Sequence, residues 1–589
     1  MPEWSTRTFG NEDLLPRVPL PTLEDTCDRF LRWCAPLLTA DEYARTEAEI
    51  AAFLAPDGPG RPLHEILEKY DATEGVHSWL DTFWPYRYLG RRDRIALNAN
   101  FFFLFRDAPL SQVERATALI VGALAFKHDV DTEALPPAVQ RGVPQTMEQN
   151  KYLFSTTRIP GAVQDSVRGP YGKGWDGPSR ARHILVLHRG NLTKLDVLGP
   201  DGAPYAADEI AAALSSLLAA DPPRNPHPVG HLTTKARAAW AADREKLQEL
   251  NPHTLDDVES ALFCVDFEDV VPASDLEAAD QLLHGDSGNR WFDKAVSFVV
   301  FADGRAGINV EHCELDGTTI LGFVDYVLGA DTAAHTRRAG ARSQGTPTAS
   351  GLDFVLDDAL RTSIAEAAES FAEYAAATAT DVLTFADFGS NRAKSLGVSP
   401  DAFVQMAYQL AHRRAKGLTG ATYESIATRQ YRRGRTEAMR VVTPEVLSFV
   451  AAMDDSSTDK AARKAAFLAA AAAHVRRAKE CQVGDAPEQH LWELQLIQRR
   501  AGGPEPALFS SPGWLISRDD YLSTSSAPST AIDYFGFGST SSQCIGVGYV
   551  LLPDRLAVHL STPRAVADGM AAFAEHLDLA LRELTNLFA

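Results

Sequence analysis

The run RWFDKAVSFVVFADGRAGINVEHCELDG, from Arg290 to Gly317, constrains this chain more than any other stretch. Its middle, Ser297 to Phe301, is apolar and of strand length, and Asp303-Gly304 follows it. A short apolar run closed by such a turn reads as a buried strand. Beyond the turn come His312 and, four residues later, Asp316-Gly317. A loop beside a core strand holds an imidazole in one place. With an unperturbed pKa of about 6.5, that imidazole is largely unprotonated at neutral pH and can act as a base.

At 589 residues the chain exceeds one compact core, so two large lobes are expected. Strand-like runs at His183–His188, around Ser297 and at Ile545–Leu552 alternate with helical patterns. The helices include an Ala-rich segment from Asp357 to about Ala377 and another from Asp401 to about Lys416. Near the C-terminus, Met570, Phe573, Leu577, Leu581, Leu584 and Phe588 recur in steps of three and four, which lays one apolar stripe on a helix. Periodicity therefore supports a large α/β protein. The polar, cationic segment His335 to Gly351 is the expected mobile boundary between lobes.

A net charge of -21 argues against nucleic acid or an anionic membrane as the main partner, because surfaces that bind phosphates need clustered cations. No segment approaches the roughly 20 continuous apolar residues of a transmembrane span. The first fifteen residues have neither signal-peptide nor transit character, so a soluble, cytoplasmic protein is expected. Six scattered cysteines without CxxC pairing suggest neither a zinc site nor a disulfide framework, and no metal ligand is assigned.

The Arg-aromatic-Asp-Lys opening, apolar strand and Glu-His-x-x-x-acid-Gly ending resemble the active-site signature of the choline/carnitine acyltransferases. Other segments resemble the family in the right order. They are LPRVPLPTLEDT (Leu15 to Thr26), TRIPGAVQDSV (Thr157 to Val167), His183 to Ile210, VGHLTTKARAAW (Val229 to Trp240), VSPDAFVQMAYQLA (Val398 to Ala411), TYESIATRQYRRGRTE (Thr422 to Glu437), LSTSSAPS and FGFG. The resemblance implies two α/β lobes of the chloramphenicol acetyltransferase type, with mixed sheets, flanking helices and an active-site tunnel at their interface. The division expected is an N-terminal segment 1–85 packing with the C-terminal lobe, a lobe 86–350 carrying the histidine, and a lobe 351–589 carrying the coenzyme A and acceptor motifs.

By the same resemblance, His312 is the general base of transfer from an acyl-CoA thioester to an alcohol, and Asp316 orders its loop or a nearby arginine. Coenzyme A is a substrate here, and no permanently bound cofactor is implied. Ser523-Thr524-Ser525 matches the family's Ser-Thr-Ser motif: Ser525 would donate to the tetrahedral oxyanion, and Ser523 would face the acceptor. Lys394 matches a lysine that holds the 3'-phosphate and pantothenate region. A second such lysine is replaced by Ser390, and Arg392 could supply its charge. Asp401 matches a position lining the coenzyme A site and fits equally an acid at a helix N-terminus.

Tyr423, Ser425 and Thr436 agree with acceptor-binding positions, but Gln489 stands where carnitine acyltransferases carry an arginine for the carnitine carboxylate. Losing such a charge-assisted contact costs about 1.5–3 kcal/mol. Phe535 falls where short-chain members carry a bulky residue, although the alignment can slip onto Gly536, so a short acyl group is favoured. The usual proline-stiffened turn that follows is replaced by STSSQC, Ser539 to Cys544. The leading reading is a monomeric acyltransferase acting on acyl-CoA and a small alcohol such as carnitine or choline. A second reading keeps the fold and His312 but takes the acyl group from a carrier protein. A third, a non-catalytic acyl-CoA-binding protein, conflicts with keeping His312, Asp316 and Ser525 together, because binding needs no base.

Overall fold

The chain builds two large mixed sheets. Their strands, in chain order, are β1 (Phe101–Phe105), β2 (His183–His188), β3 (Asn191–Asp196), β4 (Cys264–Phe267), β5 (Val296–Val300), β6 (Ala306–Val310) and β7 (Ala349–Gly351). They continue with β8 (Thr378–Phe385), β9 (Thr422–Ala427), β10 (Thr436–Arg440), β11 (Leu522–Ser526), β12 (Ile532–Phe537), β13 (Ile545–Leu551) and β14 (Leu556–Pro563). The computed structural model describes residues 4–172, 174–338, 340 and 342–589. Its chain forms two units: Met1–Glu12, Pro85–Thr380 and Ser529–Gly538 make the first; Asp13–Trp84, Asp381–Pro528 and Ser539–Ala589 make the second.

The first unit holds an eight-stranded sheet of order β7-β3-β2-β4-β5-β6-β1-β12. Strands β1, β2, β4, β5 and β6 are buried throughout, as continuous apolar runs such as FFFLF in β1 require. β5 and β6 form an antiparallel hairpin, turned at Gly304 with φ of +87°. Helix α1 (Gln112–Asp131) starts at a reciprocal capping box between Ser111 and Glu114, and α2 (Gly317–Leu328) follows the histidine loop. The second unit holds a six-stranded sheet of order β8-β14-β13-β11-β9-β10. Its helices include α4 (Pro400–Lys416), closed by Gly417 in the left-handed region, α5 (Lys460–Gln482), α6 (Glu488–Ala501) and α7 (Ala567–Asn586). The stripe expected on α7 is buried from Met570 to Leu584, while Phe588 lies past the helix end and is half-buried.

The units divide differently from the sequence expectation. The first extends to Thr380 rather than 350, because helix α3 (Asp358–Ala376) places Leu360 and Ile364 in one core cluster with Trp240 and Trp291. Residues 529–538 also return to it, since β12 pairs with β1. Most of the N-terminal segment, Asp13–Trp84, belongs to the second unit, but Met1–Glu12 belongs to the first. The cationic segment 335–351 begins as the end of helix Thr332–Arg338 and finishes as edge strand β7 on β3; Ala339 and Ala341 lie outside the described residues.

Candidate active site

His312 leaves β6 on the loop that leads into α2. Its Nδ1 lies 2.6 Å from the Leu315 carbonyl oxygen and 3.8 Å from Asp316 Oδ1. A carbonyl only accepts, so this bond requires the proton on Nδ1, which makes Nε2 the accepting nitrogen of the neutral imidazole. Phe101 of β1 sets a ring edge-to-face on the imidazole at 5.2 Å, and the Tyr88 hydroxyl stands 3.5 Å from Nε2. The imidazole is thus oriented by a main-chain carbonyl, with an aromatic wall beside it.

Asp316 is buried and bonded to Gln149, whose Nε2 donates to Asp316 Oδ2 at 2.5 Å. Gln149 Oε1 accepts from the Asp316 N–H at 2.9 Å and from the Thr319 hydroxyl at 2.7 Å. One amide side chain therefore ties the loop to the first turn of α2. Glu311 turns the other way: Oε1 pairs with Arg158 at 3.0 Å, and Oε2 accepts from the Cys313 N–H. Arg158 also reaches Asp165 at 2.6 Å and the Tyr88 carbonyl at 2.7 Å, so one buried guanidinium links Glu311, next to His312 in the chain, with Tyr88, whose hydroxyl faces the imidazole. Burial works to raise the Asp165 carboxyl, but Arg237 and Arg158 outweigh it and hold the group below its ordinary range.

The opening Arg-aromatic-Asp-Lys residues are structural anchors. Arg290 pairs with Glu268, Asp293 accepts from Trp240 at 2.6 Å, and Lys294 donates to the Glu259 carbonyl at 2.9 Å. Lysine buried there is pushed down to about 7 by desolvation. Phe535 of β12 packs on Phe103 at 5.4 Å and on Phe101 at 6.1 Å, one ring removed from His312.

The second unit gathers most of the other candidates on one face of its sheet. β9 runs parallel to β11 with Tyr423 opposite Ser523, and antiparallel to β10 with Ala427 opposite Thr436. Alternation along each strand then puts Tyr423, Ser425, Thr436, Ser523 and Ser525 on the same side. Arg440, opposite Tyr423, lies over the tyrosine ring at 5.7 Å and pairs with Glu488 at 2.6 Å. Gln489, expected to meet the acceptor, is buried, and its Nε2 donates to the Thr436 carbonyl at 2.7 Å. In this position it supports Thr436. Arg392 and Lys394 are exposed on the short helix Ser390–Ser395, two residues apart, so they project to different sides. Asp401 sits in the first turn of α4, and Oδ1 accepts from the Tyr549 hydroxyl at 2.6 Å. In the STSSQC turn, the Ser539 hydroxyl donates to the Cys544 carbonyl and clamps the turn through a side chain.

Asp401, Glu424 and His474 bring ligand atoms within 4.8 Å of one another, a spacing that suits a cation. However, His474 Nε2 lies 2.8 Å from Glu424 Oε2, the length of a hydrogen-bonded ion pair. Tyr88, Gln149, Arg158 and Asp165 were not singled out by sequence, although the last two stand within the TRIPGAVQDSV segment. Among the described residues, no helix is long and apolar enough to cross a membrane.

The first unit thus holds an oriented imidazole, and the second a strand face that carries hydroxyl side chains. Residues 18–579 match the family model described as Choline/Carnitine o-acyltransferase, and the chain belongs to that family. It is a CoA-dependent O-acyltransferase. The chain is 32% identical to carnitine O-palmitoyltransferase 2, mitochondrial, of Macaca fascicularis, over 94% of this chain and 89% of the relative. It is 30% identical to carnitine O-acetyltransferase of Homo sapiens, over 99% and 95%. Among solved structures, trichothecene 15-O-acetyltransferase from Fusarium sporotrichioides matches with a TM-score of 0.38 at 11% identity, covering 84% of this chain and 92% of that one.

Proposed function

We propose that the protein moves a short acyl group from acyl-CoA to the hydroxyl of a small carnitine- or choline-like alcohol, with His312 as general base. The observation that carries this reading is the Nδ1 bond to the Leu315 carbonyl, which makes Nε2 the accepting nitrogen of the neutral imidazole. The acceptor hydroxyl gives its proton to Nε2 as its oxygen attacks the thioester carbonyl. Ser525 donates to the oxyanion that forms. Collapse of the tetrahedral intermediate breaks the C–S bond, and the CoA sulfur takes the proton back from Nε2. Asp316 acts by holding the loop, not by relaying charge, because it lies 3.8 Å from Nδ1 while Gln149 occupies its carboxylate.

Lys394 and Arg392 serve the phosphates of coenzyme A, and Asp401 lines its site. Tyr423, Ser425, Thr436 and Ser523 contact the acceptor, and Gln489 acts through Thr436. Phe535, packed against the ring that touches His312, supports a short acyl group. The two relatives named above differ in acyl length, so Phe535 is the feature of this chain that favours acetyl over palmitoyl. The test is thiol release from acetyl-CoA and palmitoyl-CoA by the purified protein with carnitine, choline and a panel of other alcohols. Faster release from acetyl-CoA with a carnitine- or choline-like acceptor is expected. Preference for palmitoyl-CoA overturns the chain-length reading, and release only with unrelated alcohols overturns the acceptor.

A further inference from the structure

Behind the strand face that carries the acceptor and serine candidates lies a second, buried polar layer. Glu424 stands between Tyr423 and Ser425, and Thr524 between Ser523 and Ser525, so both point to the opposite side of the sheet. There Glu424 meets His474 of α5 at 2.8 Å. His474 Nε2 is also 3.9 Å from Asp401 Oδ2 on α4. Gln405, one helical turn after Asp401, donates to Thr524 Oγ1 at 3.0 Å and lies 3.3 Å from the Tyr549 hydroxyl. The Thr524 hydroxyl in turn donates to the Tyr423 carbonyl at 2.9 Å. Glu424, His474, Gln405, Thr524 and Tyr549 are all nearly inaccessible to solvent.

Burying charge and amides in this way costs stability relative to an apolar layer of the same shape, so the fold alone gives no reason for it. What the layer touches does. One end is Asp401, on the helix assigned to coenzyme A, and the other is the main chain of Tyr423 and the middle residue of the serine motif. Burial raises the Glu424 carboxyl and Asp401 raises it further, while His474 opposes both, so these groups sense one another's charge.

We infer that Glu424, His474, Gln405 and Thr524 are positioning residues for acyl transfer, setting where Tyr423 and Ser525 point relative to Asp401. This rests on the acceptor and oxyanion roles proposed above. In strands, anchoring every second residue from behind fixes the direction of those between, and hydrogen bonds do so with a definite register.

The experiment uses the full chain with acetyl-CoA and carnitine or choline, whichever it turns over. Thr524→Val keeps shape and removes only the hydroxyl bridge. Of the two bonds lost, the one to the Tyr423 carbonyl bears on the acceptor, so the acceptor KM is expected to rise about tenfold, with the acetyl-CoA KM within about twofold of wild type. Glu424→Ala is expected to do the same with a lower kcat, and Glu424→Gln, which can still bond His474, to recover most of the loss. Unchanged acceptor KM in Thr524→Val and Glu424→Ala, with activity following only the folded fraction, overturns the proposal. Tyr423→Phe separates the two levels. If it too leaves the acceptor KM unchanged, the acceptor assignment falls and takes this inference with it; if it raises KM while Thr524→Val does not, the positioning role alone falls.

Discussion

Gln149→Leu is the most informative substitution away from the imidazole itself. Gln149 makes three bonds to the segment after His312: one from Nε2 to the Asp316 carboxylate, and two accepted by Oε1 from Asp316 N–H and Thr319 Oγ. A bond to a charged group contributes about 1.5–3 kcal/mol and a neutral one about 1 kcal/mol, so the loss sums to about 3.5–5 kcal/mol. For a unit of this size that is a fall in Tm on the order of 10 °C. Released from α2, the loop loses the geometry that holds the Leu315 carbonyl against Nδ1. A displacement of roughly 1 Å of a catalytic group costs about a hundredfold in rate. The expected result is a kcat about a hundredfold lower, with the acyl-CoA KM little changed, read by thiol release and calorimetry on the same preparation. Asp316→Asn, which keeps an acceptor oxygen, loses only about 1 kcal/mol by the same reasoning. A Gln149→Leu protein with wild-type Tm and kcat refutes the claim that this amide holds the base.

Three further outcomes follow from particular residues. Phe535→Ala, which removes a buried ring at a cost of about 3–5 kcal/mol, should shift preference toward longer acyl-CoA thioesters; an unaltered chain-length profile would show that the ring does not bound the acyl site. Lys394→Ala should raise the acyl-CoA KM and flatten its salt dependence more than it changes kcat, whereas a KM equal to wild type at low salt would remove Lys394 from the coenzyme A site. His490 is fully buried, and desolvation, with His64 beside it, pushes its imidazole down to about 3. Between that value and the unfolded pKa of about 6.5 the unfolded chain binds the extra proton, so stability should fall as pH drops through this window by up to about 1.4 kcal/mol per pH unit. His490→Gln should flatten that slope in denaturant titrations, and an unchanged slope would assign the acid sensitivity elsewhere.

Much of the architecture was legible because it depends on local periodicity. The spacing that predicts helices near Asp357, Asp401 and Met570 is that of α3, α4 and α7, and the apolar runs are β2, β5 and β13. Unit boundaries were not legible, since they depend on long-range packing: Leu360 and Ile364 look the same in sequence whichever core receives them. The short return of β12 to β1 is a pairing between residues more than 400 positions apart. At the site, motif spacing pointed to His312 and the serine strand. It could not show that Gln489 is buried beneath Thr436, because contact with a ligand and support of a neighbour call for the same side chain. Gln149 and Tyr88 were missed for a related reason. Each reaches the imidazole loop from far away in sequence, and neither stands in a charged or patterned string.

In the proposed reaction the Nε2 of His312 accepts the proton of the attacking hydroxyl. The most direct test compares His312→Ala with wild type for turnover of acetyl-CoA with the best acceptor and, separately, for acyl-CoA binding by calorimetry. Turnover should fall by about 10²- to 10⁴-fold or more, the usual worth of a general base, with acyl-CoA affinity within a few-fold of wild type. Turnover retained in His312→Ala would contradict that role and place the base on another residue.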